Sequence, residues 1–393
     1  MPRLATRMDN VPPYVFARVG ARIAELEART GQRVINLGIG SPDLPTPQWL
    51  VDIITEQSQN PLNHRYPSYS GLPAFRSAVA TYYERRFGFS VDVKTEVVPL
   101  IGSKEGLVHA TQAWAGHGDV VLVPDPGYPA YKMGALLVDA EPYMVPLRPD
   151  RNWLPDLDAI PTDVVRRATF LWANYPNNPV GAIAGLDDLA WIVEWCKAND
   201  LWLAFDNPYC DLTFDGYVAP SVLQVPGAKD VAIEFNSLSK TYNMAGWRVG
   251  MAVGNKTALE ALMRVKSNVD TGIPNPIQYA AAAALTGDQA WIQERNAIYS
   301  ARRDVVVAGL NAVGIQADKP RATLYVWAKA PAGWADDAFA YHVLEQAGVW
   351  LTPGREYGDL GKGYLRVSLA VTEADLAEAM SRLKTLDLSP VPA

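Results

Sequence analysis

The chain has 393 residues, 49% of them hydrophobic and 20% charged, a balance that builds a packed globule and excludes disorder of the whole. With 35 basic against 42 acidic residues the net charge is −7, which excludes general binding of nucleic acid or of an anionic membrane and leaves only a local basic pocket open. Two cysteines, Cys196 and Cys210, exclude a disulfide framework, and His64, His109, His117 and His342 show no ligand spacing, so no metal is expected.

Residues 1–10 lack the apolar stretch of a secretory signal. The longest apolar runs, such as 279–285, fall far short of the ~20 residues that span a bilayer. A reducing, cytoplasmic setting is therefore expected. Residues 18–29 have helical periodicity, and 33–37 form a short apolar strand ending at Gly38. Residues 72–87 read as an amphipathic helix, with Pro73 in the first turn, where a missing N–H does no harm.

From there one pattern recurs. Apolar runs at 97–101, 120–123, 169–172, 201–205 and 231–235 each end in a polar or glycine-rich turn: GSKEG, PDPGY, ANYPNNP, DNPY and NSLSK. Helical segments such as 186–199 lie between some of them. Continuous β-branched runs alternating with helices predict an α/β fold, with a mostly parallel sheet covered on both faces. Ligands bind beyond the carboxyl ends of such strands, so the turns should converge on one pocket. Residues 248–253 give a further strand. A helical stretch at 288–313 is then followed by strands at 323–328, 349–351 and 363–369 and helices at 336–347 and 373–386. This predicts a second, smaller α+β domain against which the N-terminal arm packs. The expected division is a large domain at 45–286 and a small one made of 1–44 and 287–393.

The most informative segment is NSLSKTYNMAGWRVG at 236–250. It places two hydroxyls, one amine and one guanidinium at the end of an apolar strand. Ser237 and Ser239 can donate to anionic oxygens, and Arg248 can grip a phosphate with two prongs. Lys240 is the one amine, suited to Schiff-base formation if a pocket lowers its pKa. Alone, the segment reads equally as a solvated loop. Asp206 ends the apolar run LWLAF and is either a cap or a buried charge that needs a cationic partner.

Together these motifs resemble the class I/II aminotransferases, pyridoxal-phosphate (PLP) enzymes of fold type I. The resemblance rests on SLSK with Arg248 eight positions after the lysine, on Asp206-x-x-Tyr209, and on Asn177-Asn178-Pro179-x-Gly181. It runs from Gly38-Ile39-Gly40-Ser41-Pro42-Asp43 to Arg366-Val367-Ser368. Stretches such as NVPPYVFARVGARI, GSKEGL and VKSNVD are similar to the LL-diaminopimelate aminotransferase branch.

The resemblance implies a large domain whose mostly parallel mixed sheet is sandwiched by helices. It implies that Lys240 holds PLP as a Schiff base and shuttles the proton, that Asp206 pairs with the pyridinium nitrogen, and that Tyr209 and Asn178 bond the ring oxygen. Tyr128 would stack on the ring. Ser103 and Lys104 at a helix start, with Ser237, Ser239 and Arg248, would hold the phosphate. Tyr66 would reach the phosphate from a second copy, which makes the enzyme a homodimer with a shared active site. Arg366 would bind the substrate α-carboxylate beside Asn178 and the Gly40 backbone, and Tyr14 the substrate side chain.

The implied activity moves an amino group from an amino acid, LL-diaminopimelate in this branch, to a 2-oxo acid such as 2-oxoglutarate, in lysine biosynthesis. The chain departs from its relatives in the turn 66–71, which has no carboxylate, and at Pro208, Cys210, Pro274 and Pro276. Aspartate, alanine and aromatic amino acids therefore stay open as donors. The rivals in chemistry are a fold type I lyase or decarboxylase and a PLP-sensing regulator. A gripped α-carboxylate argues against decarboxylation, and the arm before Gly38 is too short for a helix-turn-helix domain.

Overall fold

The computed structural model describes residues 3–13 and 15–389. Among the described residues twelve strands run in chain order: β1 (Ile35–Asn36), β2 (Val97–Leu100), β3 (Val120–Asp125), β4 (Glu141–Pro146), β5 (Ala168–Asn174), β6 (Trp202–Asp206), β7 (Ala232–Ser237), β8 (Gly250–Gly254), β9 (Tyr325–Lys329), β10 (Val349–Trp350), β11 (Thr352–Pro353) and β12 (Tyr364–Ser368).

Seven of them form one sheet in the order β2-β8-β7-β6-β5-β3-β4. The pairings among β3 to β7 are parallel, and β8 runs antiparallel to both β7 and β2. Strand side chains alternate between the two faces. One face sends Val120, Leu122, Leu171, Leu203 and Phe205 into a core with the helices Pro73–Phe87, Leu186–Ala198 and Asn275–Thr286. The other sends Val121, Val123, Phe170, Trp172, Ala204 and Phe235 against the helices Ser103–Trp114, Pro129–Leu137 and Lys256–Val269. Helices on both faces explain why these strands are apolar without a break.

A third core surrounds the antiparallel sheet β11-β12-β9 and the helices Ala290–Ala312, Asp336–Ala347 and Glu373–Leu383. Leu26, Val34, Ile35 and Leu37 from the N-terminal region pack there, and β1 pairs with β10. Among the described residues no helix is long and apolar enough to cross a membrane.

Two features of the chain gave no strand or helix signal in the sequence. β4 carries Glu141 and two prolines and lies at the sheet edge, half exposed, so it lacks the apolar run of a central strand. The helix Asn275–Thr286 opens with prolines and then runs through alanines, which have high helix propensity but no amphipathic period.

Leu203 is fully buried in the central strand β6. Leu203→Ala should cost about 3 kcal/mol of stability, the usual loss for a buried leucine. A shift of the urea midpoint of the cofactor-free chain checks it.

Candidate active site

The carboxyl ends of β3, β5, β6 and β7 and the turn after β2 open onto one cleft of about 660 Å³. Ser103, Lys104, Tyr128, Asn178, Asp206, Tyr209, Ser237, Ser239, Lys240, Arg248, Gly40 and Arg366 all line it. Residues scattered over most of the sequence are thus gathered in one place.

Asp206 is the last residue of β6 and is 4% exposed. Its Oδ2 accepts from the Tyr131 hydroxyl at 2.7 Å, while Oδ1 has no partner. Burial, opposed by the Tyr131 bond, pushes its pKa from 3.8 to about 7. A buried carboxylate with one oxygen free, lining a cleft, is a seat for a cation.

Lys240 lies on a one-turn helix, Leu238–Thr241, that continues β7. Ser237 caps this helix, its Oγ accepting the Ser239 N–H at 3.1 Å. The Lys240 Nζ donates to the Gly40 carbonyl. Burial lowers its pKa, and the cations Arg366 and Arg248 add to the effect. A larger share of the amine is therefore in the neutral, nucleophilic form.

One end of the cleft is built for an anion. The helix Ser103–Trp114 starts there with no side chain capping it, and a helix N-terminus favours an anion. Arg248 takes a left-handed φ of 54° and donates to the Ala245 carbonyl at 2.8 Å. Gly102 has φ 73°, and a Cβ on it would lie 2.2 Å from Arg248 Nη2. Only glycine lets the guanidinium approach the helix start so closely. Burial and the nearby Arg248 lower the pKa of Lys104. Ser237 and Ser239 complete the polar lining.

The other end holds Arg366 on β12, 3% exposed. Its Nη1 donates to Asn178 Oδ1 at 3.0 Å and its Nη2 to the Gly38 carbonyl at 2.8 Å. The guanidinium lies 4.1 Å from the Tyr325 ring centre and 4.9 Å from that of Tyr357. The Gly40 backbone lies beside Arg366, a Cβ built on it coming 3.7 Å from Nη2; the carbonyl that accepts from Arg366 is that of Gly38, while that of Gly40 meets Lys240. Tyr209 and Tyr325 pair their hydroxyls at 3.0 Å between these groups. Burial raises the Tyr325 pKa, but the charges of Arg366 and Lys240 outweigh it and bring it below its ordinary value.

Two expected residues stand apart. Tyr66 is 87% exposed and does not line the cleft of its own chain. Tyr14 lies outside the described residues. Cys210 is buried behind the site, where the Asn236 amide donates to its Sγ at 3.3 Å. Four contributors carried no chemical signal in the sequence. Tyr131, Tyr325 and Tyr357 look like ordinary core aromatics, and Asn174 sits inside the ANYPNNP turn. Its amide donates to the Asp206 carbonyl at 2.7 Å, and its Oδ1 accepts the Asn178 N–H at 2.7 Å, so it splints two of the turns together. A polar residue that ends an apolar strand was the one available hint.

A second cleft of about 640 Å³ lies between residues 149–154 and 316–329 and holds none of the predicted residues. Glu105, His109 and Asp270 bring ligand atoms within 4.8 Å of one another. The buried Lys266 ammonium sits against both carboxylates, 3.1 Å from Glu105 and 2.8 Å from Asp270, so the cluster already holds its cation.

The sequence matches the family model described as aminotransferase class I and II over residues 32–383. It is 50% identical over 380 residues to an LL-diaminopimelate aminotransferase of Moorella thermoacetica, covering 97% of each chain. It is 47% identical to an LL-diaminopimelate aminotransferase of Dehalococcoides mccartyi, over 97% of this chain and 98% of that one. Among solved structures, substrate-bound BacF from Bacillus subtilis superposes with a TM-score of 0.94 at 36% identity, covering 98% of each chain. The fold is also similar to Thermus thermophilus aspartate aminotransferase, with a TM-score of 0.90 at 28% identity over 98% of this chain and 99% of that one.

The Asp206 carboxyl gives a pH signature in the cofactor-free chain. Its pKa is raised to about 7 by folding from 3.8. The folded chain keeps a proton that the unfolded chain releases, so the contribution of Asp206 to stability is full below pH 4, falls as pH rises toward 7, and is lost above. Asp206→Asn should remove its share of that slope, at most about 4 kcal/mol between pH 4 and 8. Glu234, raised to about 7 by burial, and Asp125, also raised by burial, keep a slope of the same sign. Urea midpoints at pH 5 and pH 8 check the difference.

Proposed function

The chain belongs to the class I and II aminotransferases, enzymes that depend on pyridoxal phosphate, and we propose that it transfers an amino group from LL-diaminopimelate to a 2-oxo acid such as 2-oxoglutarate. The observation that carries the site reading is the pairing, in one cleft, of a buried carboxylate oxygen without a partner at Asp206 and a half-buried amine of lowered pKa at Lys240. They match the two ends of a pyridine aldehyde, and the donors at Ser103, Ser237, Ser239 and Arg248 match its phosphate.

Bound there, the cofactor supplies an aldehyde that takes the amine and a ring that accepts electrons from the donor Cα. In this reading Asp206 keeps the ring nitrogen protonated. Lys240 Nζ holds the cofactor at rest and then moves the proton released from the donor Cα. Asn178, whose Oδ1 is engaged by Arg366, has its amide left to donate to the ring oxygen together with Tyr209. Tyr128 covers a ring face, and Lys104 adds positive charge at the phosphate end. Arg366 orients the substrate α-carboxylate. Tyr66, exposed on its own chain, reaches the phosphate of a second copy, so the working form is a homodimer. Residues 45–286 form the cofactor domain, and 1–44 with 287–393 the small domain. The reading as a lysine-pathway enzyme places it in the cytoplasm.

Two relatives at 50% and 47% identity over 97% of this chain support the diaminopimelate donor. The turn 66–71, which has no carboxylate for a distal ammonium, favours a second reading in which aspartate, alanine or an aromatic amino acid is the donor. A donor screen against 2-oxoglutarate with LL-diaminopimelate, aspartate, alanine and phenylalanine decides between them. Faster turnover of any other donor overturns the first reading.

Lys240→Ala should abolish both the visible absorption of the loaded chain and turnover, and retained turnover would remove the assignment. Arg366→Ala should lower kcat/KM about 100-fold, mainly through KM, as for loss of a charged hydrogen-bond pair of about 3 kcal/mol. Steady-state kinetics with the best donor checks it, and an unchanged KM counts against the carboxylate role.

A further inference from the structure

Arg295 is 1% exposed, on the helix Ala290–Ala312, away from the sheet strands that build the cleft. None of its hydrogen bonds goes to a carboxylate. Its Nη1 donates to the main-chain carbonyl of Lys240 and, at 2.5 Å, to that of Thr241. Its Nη2 donates to the carbonyl of Asp211 at 2.6 Å. Asn296 Oδ1 accepts from Nε at 3.1 Å and from Nη2 at 2.7 Å, and the Asn296 amide donates to the same Asp211 carbonyl at 2.9 Å. Burial lowers the guanidinium pKa to about 10, so the charge persists at neutral pH.

The carbonyls concerned matter for two reasons. Those of Lys240 and Thr241 close a four-residue helix, Leu238–Thr241. So short a helix has little stability of its own, and its last carbonyls have no partners within it. The carbonyl of Asp211 ends the segment that carries Asp206 and Tyr209. One rigid, five-donor fork therefore ties together the two segments that carry the cleft's reactive groups.

We propose that Arg295 is a positioning residue for the transamination: by joining the carbonyls of Lys240 and Thr241 to that of Asp211, it fixes the height of the Lys240 amine relative to Asp206 and Tyr209. The proposal deepens the reading above and rests on Lys240 as the reactive amine. Proton transfer demands a closely held geometry, and a misplacement of about 1 Å can cost 100-fold in rate. Lysine does not substitute, because a single ammonium lacks the planar fork that spans both segments. Asn296 shares the task by orienting the guanidinium.

The test uses Arg295→Lys and the milder Asn296→Ala, with the melting temperature of each measured alongside. In the cofactor-free chain, acetylation of Lys240 is followed against pH by peptide mass spectrometry. A released Lys240 segment is less desolvated, so the midpoint of acetylation should rise by about one pH unit in Arg295→Lys and by less in Asn296→Ala. In the loaded enzyme kcat should fall about tenfold or more in Arg295→Lys while KM for the donor stays within about twofold. An unchanged acetylation midpoint in both variants overturns the proposal, whether kcat is retained or falls only in step with melting temperature. Turnover by Lys240→Ala would remove the site reading and this proposal with it. An unchanged midpoint in a chain whose Lys240 is shown to be essential removes this proposal alone.

Discussion

Burying a carboxylate at the end of a central strand is the constraint around which the rest of the site is arranged. Asp206 pairs across the sheet with Asn174 on one side and Phe235 on the other. Its neighbours along β6, Phe205 and Ala204, are fully buried. A charge there is costly unless something cationic meets it. The surroundings do part of the work. Tyr131 donates to one oxygen, and Asn174 fixes the backbone behind it. The other oxygen is left open toward the cleft. The fold thus carries a site that is more stable loaded than empty, because any ligand that brings a cation to Asp206 binds the folded chain alone.

The remaining groups are placed by the geometry of a parallel sheet. Strands that run the same way end at the same edge, so their turns share one space. The antiparallel strand β8 does not disturb this, because it begins where β7 ends: Gly250 sits opposite Ser237. That pairing brings Arg248, just before β8, to the same edge as Lys240. Arg366 arrives from a different layer, on β12 of the small sheet, and is held by Asn178 and by Gly38. The cleft therefore separates its electrostatics by layer. In the proposed reading, the groups for a phosphate come from the large sheet, and the cation for a carboxylate comes from the small one.

How much of this was legible follows from what kind of signal each residue leaves. Asp206 and Lys240 follow apolar runs and Ser103 opens a helix after one, so the pattern exposed them as polar groups at strand ends, whereas Arg248, just before β8, was singled out by its motif. The apolar strands β3, β5, β6 and β7 were equally plain, because burial on both faces demands unbroken hydrophobicity. β4 was not, since an edge strand has no such need. The tyrosines at 131, 325 and 357 look like core aromatics, and core packing is indeed half of what they do; Tyr131 is fully buried and stacks at 4.8 Å on Trp172. Their hydroxyls matter only through three-dimensional neighbours. Arg295 is a stronger case. On a helix it resembles a solvated surface charge, and only its three carbonyl partners reveal its place.

The bond from Arg366 to the Gly38 carbonyl joins residues 328 positions apart. Such a contact closes only after nearly the whole polypeptide has been made, and long-range closures form late and slowly. The large sheet, by contrast, is complete once residue 254 has emerged. In the proposed reading, the strands whose ends seat the cofactor are therefore all synthesised before β12, the strand that carries the grip on the amino acid.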